Sequence, residues 1–376
     1  MIYLDHAATT PIPAAVAEEM MSALTHFANP SAQYPMGQEA KKQVEERRAV
    51  IARALHCASE CVHFTSCGTE SDNWAIMGAL HHNRHVGKHI ITTAVEHSAI
   101  LETCKALQQQ GYEVTYLKPD KTGHVTAAQV EAALREDTVL VSVMLVNNET
   151  GCIFPLADIA RVLKERKSRA LLHTDAVQGF LKVPSAPAEL GVDLMSLSAH
   201  KIGGPKGIGA LYIAPHLKNF RPLLFGGGQE MGLRSGTEAT AQIAGFAKAV
   251  ALRCEHLEDS LRHMAEVKAY CREKLLSIEG IVPVGGGEAP HVLSVSLVGY
   301  PSANVVTDLG AQGICLSAGS ACHRGKLSHV VQALGLDKRT ASGVLRLSFG
   351  PETTFDEIDT LYEALLAHKR SRFPML

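Results

Sequence analysis

No apolar run in this chain of 376 residues approaches the roughly 20 residues that a membrane-spanning helix needs, so no span is expected. Neither sign of charge dominates. The 36 Lys and Arg stand against 38 Asp and Glu, a formal net charge of -2, which leaves no global field to draw the protein to nucleic acid or an anionic membrane. The sequence has no Cys-x-x-Cys; Cys57 and Cys61 lie four apart with no second pair to complete a zinc site, so no metal is expected. Its 9 cysteines are odd in number, follow no framework spacing and sit in a chain too long to need staples, which points to reduced thiols. The start, Met1-Ile2-Tyr3-Leu4-Asp5-His6, has no basic region followed by an apolar core, so no signal peptide and a cytoplasmic location are expected.

What is present is the composition of a soluble globular enzyme, 46% hydrophobic and 20% charged, long enough for two domains. The basic residues Lys41, Lys42, Arg47 and Arg48 are interleaved with Glu39, Glu45 and Glu46 and read as a solvated helix face. His81 to His89 reads as a polar helix-to-strand loop. Buried strands alternate with amphipathic helices: strands at Val62 to Ser66, His89 to Ala94, Tyr112 to Leu117, Val139 to Val146, the Asp175 stretch, Val192 to Leu197 and Ile208 to Ala214. Helices are expected over Ala14 to Leu24, Ala40 to Leu55, Ser98 to Gln110 and Leu156 to Lys167. Such alternation predicts an α/β fold with a mostly parallel sheet covered on both faces. A long helical stretch from Ala239 to about Ile278, with a break near Cys254, leads to a smaller α+β unit.

Ligands of such sheets lie beyond the carboxyl ends of the strands, and the chemical residues fall there: Glu96-His97, Asn147-Asn148-Glu149, Asp175 with Gln178, and Ser198 with His200 and Lys201. A lysine ending a buried strand is desolvated, which lowers its pKa and makes it a nucleophile toward an aldehyde. A second buried strand delivers the Asp175 carboxylate. Pyridoxal 5'-phosphate (PLP) needs that pair, a lysine for its aldehyde and a carboxylate to keep its ring nitrogen protonated. The strand-Gly68-Thr69-helix arrangement suits a phosphate, though Thr69 also serves as an ordinary N-cap residue. Cys322, among Gly, Ser and Ala and beside His323 and Arg324, reads as a reactive thiol.

Ten segments in order then resemble the NifS/IscS-type cysteine desulfurases: Tyr3 to Thr10, Asn29-Pro30-Ser31, Phe64 to Asn73, Glu96-His97, Asn147 to Gly151, His173 to Gln178, Ser198 to Lys201, Gly227 to Glu230, Arg234 to Glu238 and Ser317 to Cys322. The resemblance implies an aspartate-aminotransferase-like PLP fold of type I, in a homodimer that takes sulfur from L-cysteine and leaves L-alanine. It implies a large domain over 14–250 and a small one from 1–13 and 251–376. By the same resemblance Lys201 would hold PLP, Asp175 would pair with its ring nitrogen, and His97 would stack on the ring and transfer protons. Gln178 and Asn148 would contact the ring oxygen. Gly68, Thr69, Ser198 and His200 would cradle the phosphate, with Thr237 supplied by the other subunit. Arg346 would clamp the substrate carboxylate, assisted by Asn29, and Cys322 would take the sulfur as a persulfide.

Tyr34 and Ala239 depart from the pattern of many relatives, without removing a group that the chemistry requires. The sulfur acceptor stays open among an iron-sulfur scaffold, a tRNA thiolation enzyme and a DNA sulfur-modification complex. Selenocysteine lysis or another PLP reaction on this fold, and a non-catalytic scaffold of a sulfur-transfer complex, are the alternatives. Direct contact with nucleic acid or membrane is not expected.

Overall fold

The computed structural model describes residues 1–318 and 327–374. Its main sheet has seven strands, in the order Val62–Thr65, Gly209–Ile213, Leu194–Ser198, Leu171–Asp175, Thr138–Ser142, His89–Thr93 and Glu113–Leu117. Gly209–Ile213 runs antiparallel to both its neighbours and all the other pairings are parallel. Most of these strands are buried at every residue, as expected where helices cover both faces. One covering helix, Gly68–His82, buries Trp74, Ile76, Ala79 and Leu80. Gly78 permits its close seating, since a Cβ there would stand 2.2 Å from the Phe220 ring.

A second, antiparallel sheet has the order Ser317–Ala318, Val344–Ser348, Val292–Leu297 and Ile281–Pro283. The helices Leu257–Leu276 and Phe355–Ser371 share an apolar core with it, built on Val267, Leu275, Val295, Leu347, Ile358 and Leu361. Leu4 belongs to this core, and Ile2–Tyr3 pairs in parallel with Ile314–Cys315, so the first residues are fastened to the last third of the chain. The fold is of PLP type I, a large α/β layer with a smaller α+β unit.

Three sequence expectations need adjustment. The helix expected from Ala40 begins at Pro35, because proline at the first helical position lacks only an N–H that would have no partner there. The break expected near Cys254 is present, at His256 (φ -123°, ψ 27°), and divides the long helical stretch into Thr240–Glu255 and Leu257–Leu276. Arg48 is not solvated: it is 2% exposed, and its guanidinium donates to Glu230 at 2.6 and 2.9 Å and to the Val62 carbonyl at 2.9 Å. At the other end of the histidine run, His89 is buried, its two ring nitrogens against Thr138 Oγ1 (2.8 Å) and Thr115 Oγ1 (2.9 Å).

Glu230, itself 5% exposed, also accepts from the Phe64 amide at 2.7 Å, so the glycine-rich loop Gly226–Gly228 is pinned to the edge of the main sheet. Removing one member of a buried pair strands the other's charge. Glu230→Ala is expected to lower unfolding stability by about 3 kcal/mol, read as a shift of the urea midpoint at constant slope. A shift below about 0.5 kcal/mol would mean that Glu45, which contacts Arg48 at 3.0 Å, already suffices.

Candidate active site

The carboxyl ends of the parallel strands open into a cleft of about 390 Å³. Leu194–Ser198 runs into a short turn at Ala199–Lys201, which aims Lys201 into the cleft. Its Nζ donates to the Ala7 carbonyl at 2.6 Å and the Ala8 carbonyl at 2.7 Å. Burial, reinforced by the nearby Arg346 guanidinium, pulls the Lys201 pKa down to about 8. The amine is therefore roughly half neutral at pH 8, where an ordinary lysine is almost wholly protonated.

Asp175 ends the neighbouring strand, 6% exposed, and accepts from the Val177 amide at 2.9 Å. Burial raises its pKa, and the His97 and Lys201 charges oppose the rise. Asp72, from the helix Gly68–His82, lies beneath it; one of its oxygens is buried without a hydrogen-bond partner, and burial followed by the Asp175 charge pushes its pKa well up. The ligand atoms of Asp72, His97 and Asp175 lie within 4.8 Å of one another. Asp72 was not singled out in the sequence, although its place in Thr69-Glu70-Ser71-Asp72, one helical turn from Gly68, put it on the same face.

His97 caps the helix Ser98–Gln109, its Nδ1 accepting from the Ala99 amide at 3.2 Å. That bond leaves the proton of the neutral ring on Nε2. His200 is held by Thr9 Oγ1 at 3.2 Å, and burial with the Lys201 charge lowers its pKa to about 4, so it is neutral. Gln178 donates its side-chain amide to the Ala7 carbonyl at 2.7 Å. Ser198, Gly68, Thr69 and Asn148 also line the cleft on the main-sheet side.

Arg346 enters from the smaller sheet. Alternation along Val344–Ser348 buries Leu345 and Leu347 in the core and turns Arg346 to the other face, into the cleft. Its guanidinium donates to Asp5 at 2.7 Å, Ser317 Oγ at 3.0 Å and the Asn148 carbonyl at 3.1 Å, and its Nε is buried without a partner. Asp5 and Ser317 were not among the residues expected to matter; each stands in a segment that the sequence did flag.

The other expected residues lie elsewhere. Asn29 is exposed, its side-chain oxygen accepting from the Ser31 amide at 2.9 Å, and Thr237 is exposed ahead of the helix Thr240–Glu255; neither lines this cleft. Cys322 lies outside the described residues.

The residues fit PLP on two counts. The helix Gly68–His82 has no side chain capping its first turn, and a Cβ at Gly68 would stand 2.8 Å from Val177 Cγ2, so glycine leaves its free amides open toward Ser198 and His200. The buried Asp72–Asp175 pair is short of positive charge, which a protonated ring nitrogen supplies. Lys201 and Asp175 would hold the aldehyde and nitrogen ends, and His97 the ring face. An aldehyde reacts with the neutral amine, so uptake of PLP by the apoprotein, followed by its visible absorption, is expected to quicken as pH rises through about 8 and then level off. A rate still climbing at pH 10 would mean an ordinary lysine pKa.

A lysine and a buried carboxylate at adjacent strand ends, an open helix N-terminus and an arginine from a second unit define an enzyme of the aminotransferase type, a class that implies PLP. The chain belongs to the aminotransferase class-V family, whose model matches residues 2–361. Within it the chain is similar to the cysteine desulfurase IscS of Clostridium botulinum, 39% identical over 375 residues and 97% of this chain and 93% of that one. Among solved structures it resembles a NifS-like protein with a TM-score of 0.91 and 36% identity, covering 98% of this chain and 99% of the other. It also resembles SspA in complex with cysteine, with a TM-score of 0.82 and 34% identity, covering 94% and 100%.

Proposed function

We propose that this chain is a PLP-dependent cysteine desulfurase that converts L-cysteine to L-alanine and carries the sulfur away as a persulfide on Cys322. The observation that carries the reading is the convergence of Lys201, Asp175, His97 and Arg346 on one cleft, in a chain similar to proteins that bear that name. PLP supplies an electron sink for the bond-breaking at the substrate's α-carbon. The protein's own residues do the rest. Arg346 takes the substrate carboxylate in a guanidinium fork whose third side is steadied by Asp5. Lys201 moves the α proton, and His97 Nε2 gives or takes a proton across the ring face. The Cys322 thiolate attacks the substrate sulfur; the sulfur–sulfur bond forms as the carbon–sulfur bond breaks, its electron pair stays with carbon, and carbon takes up a proton to become alanine.

The division into 14–250 and 1–13 with 251–376 is supported by the apolar core that Leu4 shares with residues from Met264 to Leu365, while Ala289 and Val330 pack into the core of the main sheet. A homodimer is favoured by Thr237 and Asn29, exposed here and unused by their own cleft, and a sulfur-acceptor protein by the chemistry of a persulfide product. A reducing, cytoplasmic setting is supported by the eight described cysteines, all free. Among the described residues no helix is long and apolar enough to cross a membrane.

The test is to mix PLP-loaded protein with L-cysteine and a reductant and to follow alanine and sulfide together. Equal yields support the desulfurase. A keto acid in place of alanine would replace it with transamination, and no product from a protein with the lysine-bound cofactor's visible band would favour the non-catalytic scaffold. Selenocysteine offered in parallel measures the lyase alternative.

A further inference from the structure

Behind Lys201, on the far side of the segment that carries Ala7 and Ala8, lies a cavity of about 400 Å³ that shares no lining residue with the cleft. Its polar side is basic. His6 is 3% exposed, and the nearest charge to its Nε2 is Glu352 at 3.7 Å. Arg253 comes from the last turn of Thr240–Glu255, and its Nε is buried with no hydrogen-bond partner. At His256 that helix stops and the 20-residue helix Leu257–Leu276 begins with no side chain capping its N-terminus.

A guanidinium N–H without an acceptor, an imidazole whose pKa burial lowers and an uncapped helix N-terminus, whose first turn also carries Glu258 and Asp259, thus line one space and offer N–H donors to an anion. Lys182 and His291 lie buried near them, 3% and 1% exposed, and burial, with the Arg253 charge as a lesser cause, holds the pKa of both well below the ordinary values. Glu352, 62% exposed at its side chain, is the one carboxylate among the described lining residues, and it sits where it can swing into water. The opposite wall is apolar, with Ile12, Ile202 and Leu252. An inorganic oxyanion would satisfy the donors and leave that wall wet.

We propose that this cavity is a second ligand site, for a small organic anion whose carboxylate meets Arg253 and His6 and whose apolar body lies against Ile12, Ile202 and Leu252. The site does not depend on the desulfurase reading. Its occupant would adjoin the catalytic lysine through two short links: His6 precedes the carbonyl that holds Lys201 Nζ, and Thr10, on the cavity wall, donates its amide at 3.0 Å and its hydroxyl at 2.9 Å to the His200 carbonyl.

The probe is 4-fluorobenzoate, titrated calorimetrically into the PLP-loaded full chain. One site per chain is expected. Arg253→Gln should weaken it about tenfold or more, and Leu252→Trp, which fills the cavity and keeps its charges, should remove it. Glu352→Gln should tighten it severalfold by deleting a competing carboxylate. Arg346→Gln, which alters the carboxylate clamp of the cleft, should leave it unchanged. The proposal is overturned if wild-type protein gives no saturable heat. It is equally overturned if Arg253→Gln and Leu252→Trp, folded by their unfolding midpoints, bind as wild type does, if Arg346→Gln abolishes binding, or if inorganic phosphate binds as tightly as the probe.

Discussion

Replacing Lys201 by alanine is expected to slow alanine formation from L-cysteine by a factor of about 10³ or more and to remove the visible absorption of the lysine-bound cofactor. Two jobs end together, since the proposed function gives one amine both the aldehyde to hold and the α proton to move. Among the described residues no other amine lines the cleft. The second buried lysine, Lys182, has its Nζ 3.4 Å from Gln178 Oε1 and does not line the cleft. PLP itself should still bind, through Asp175 and the open helix N-terminus at Gly68, so equilibrium dialysis separates loss of the covalent bond from loss of the site. Turnover within tenfold of wild type would sink the role given to Lys201. An inactive variant that no longer takes up PLP at all would instead show that the lysine holds the cleft's shape.

How much of this was legible before the fold was known depended on how each residue is placed. Lys201, Asp175, His97 and Asn148 sit at carboxyl ends of parallel strands, where a run of apolar residues stops at a polar one, and that signal survives in sequence alone. Arg346 needed the family resemblance, because one charged residue in an apolar strand does not say which way the strand will face. Asp72 and Asp5 were missed for a different reason. Each matters through a neighbour supplied from far along the chain, Asp175 for the one and Arg346 for the other, and no local pattern records such a pairing. Arg48 failed most instructively. Its flanking glutamates gave the alternating charges of a solvated face, but its partner is Glu230, 182 positions away. The helix Ala127–Ala133 was passed over although Thr126 and Gln129 form a reciprocal capping box, since seven residues are too few to show a period.

Cys322→Ser is expected to be as damaging to turnover as the loss of Lys201 while leaving every earlier step in place. The hydroxyl of serine is neither ionised near neutral pH nor able to receive sulfur as a persulfide, so the carbon–sulfur bond has no attacking group. Cys322 follows Ala318 by four residues, a length of chain that reaches at most about 14 Å. Ser317, beside Ala318, is bonded to Arg346 at 3.0 Å and to Asp5 at 2.9 Å, so that reach is measured from the substrate's own clamp. Further on, Ser328 donates to Glu149 at 2.6 Å, and His329 Nε2 pairs with the Glu96 carbonyl at 2.8 Å, which ties these residues to the strand ends that carry Asn148 and His97. The variant should therefore bind PLP and L-cysteine, change the cofactor's absorption on mixing, and exchange the α proton of cysteine with deuterium from solvent. Alanine release should fall at least about 10³-fold. Sustained release of alanine and sulfide in equal amounts would remove Cys322 from the reaction. Loss of deuterium exchange along with alanine would give the thiol a part in the proton transfers, which the proposed function gives to Lys201 and His97.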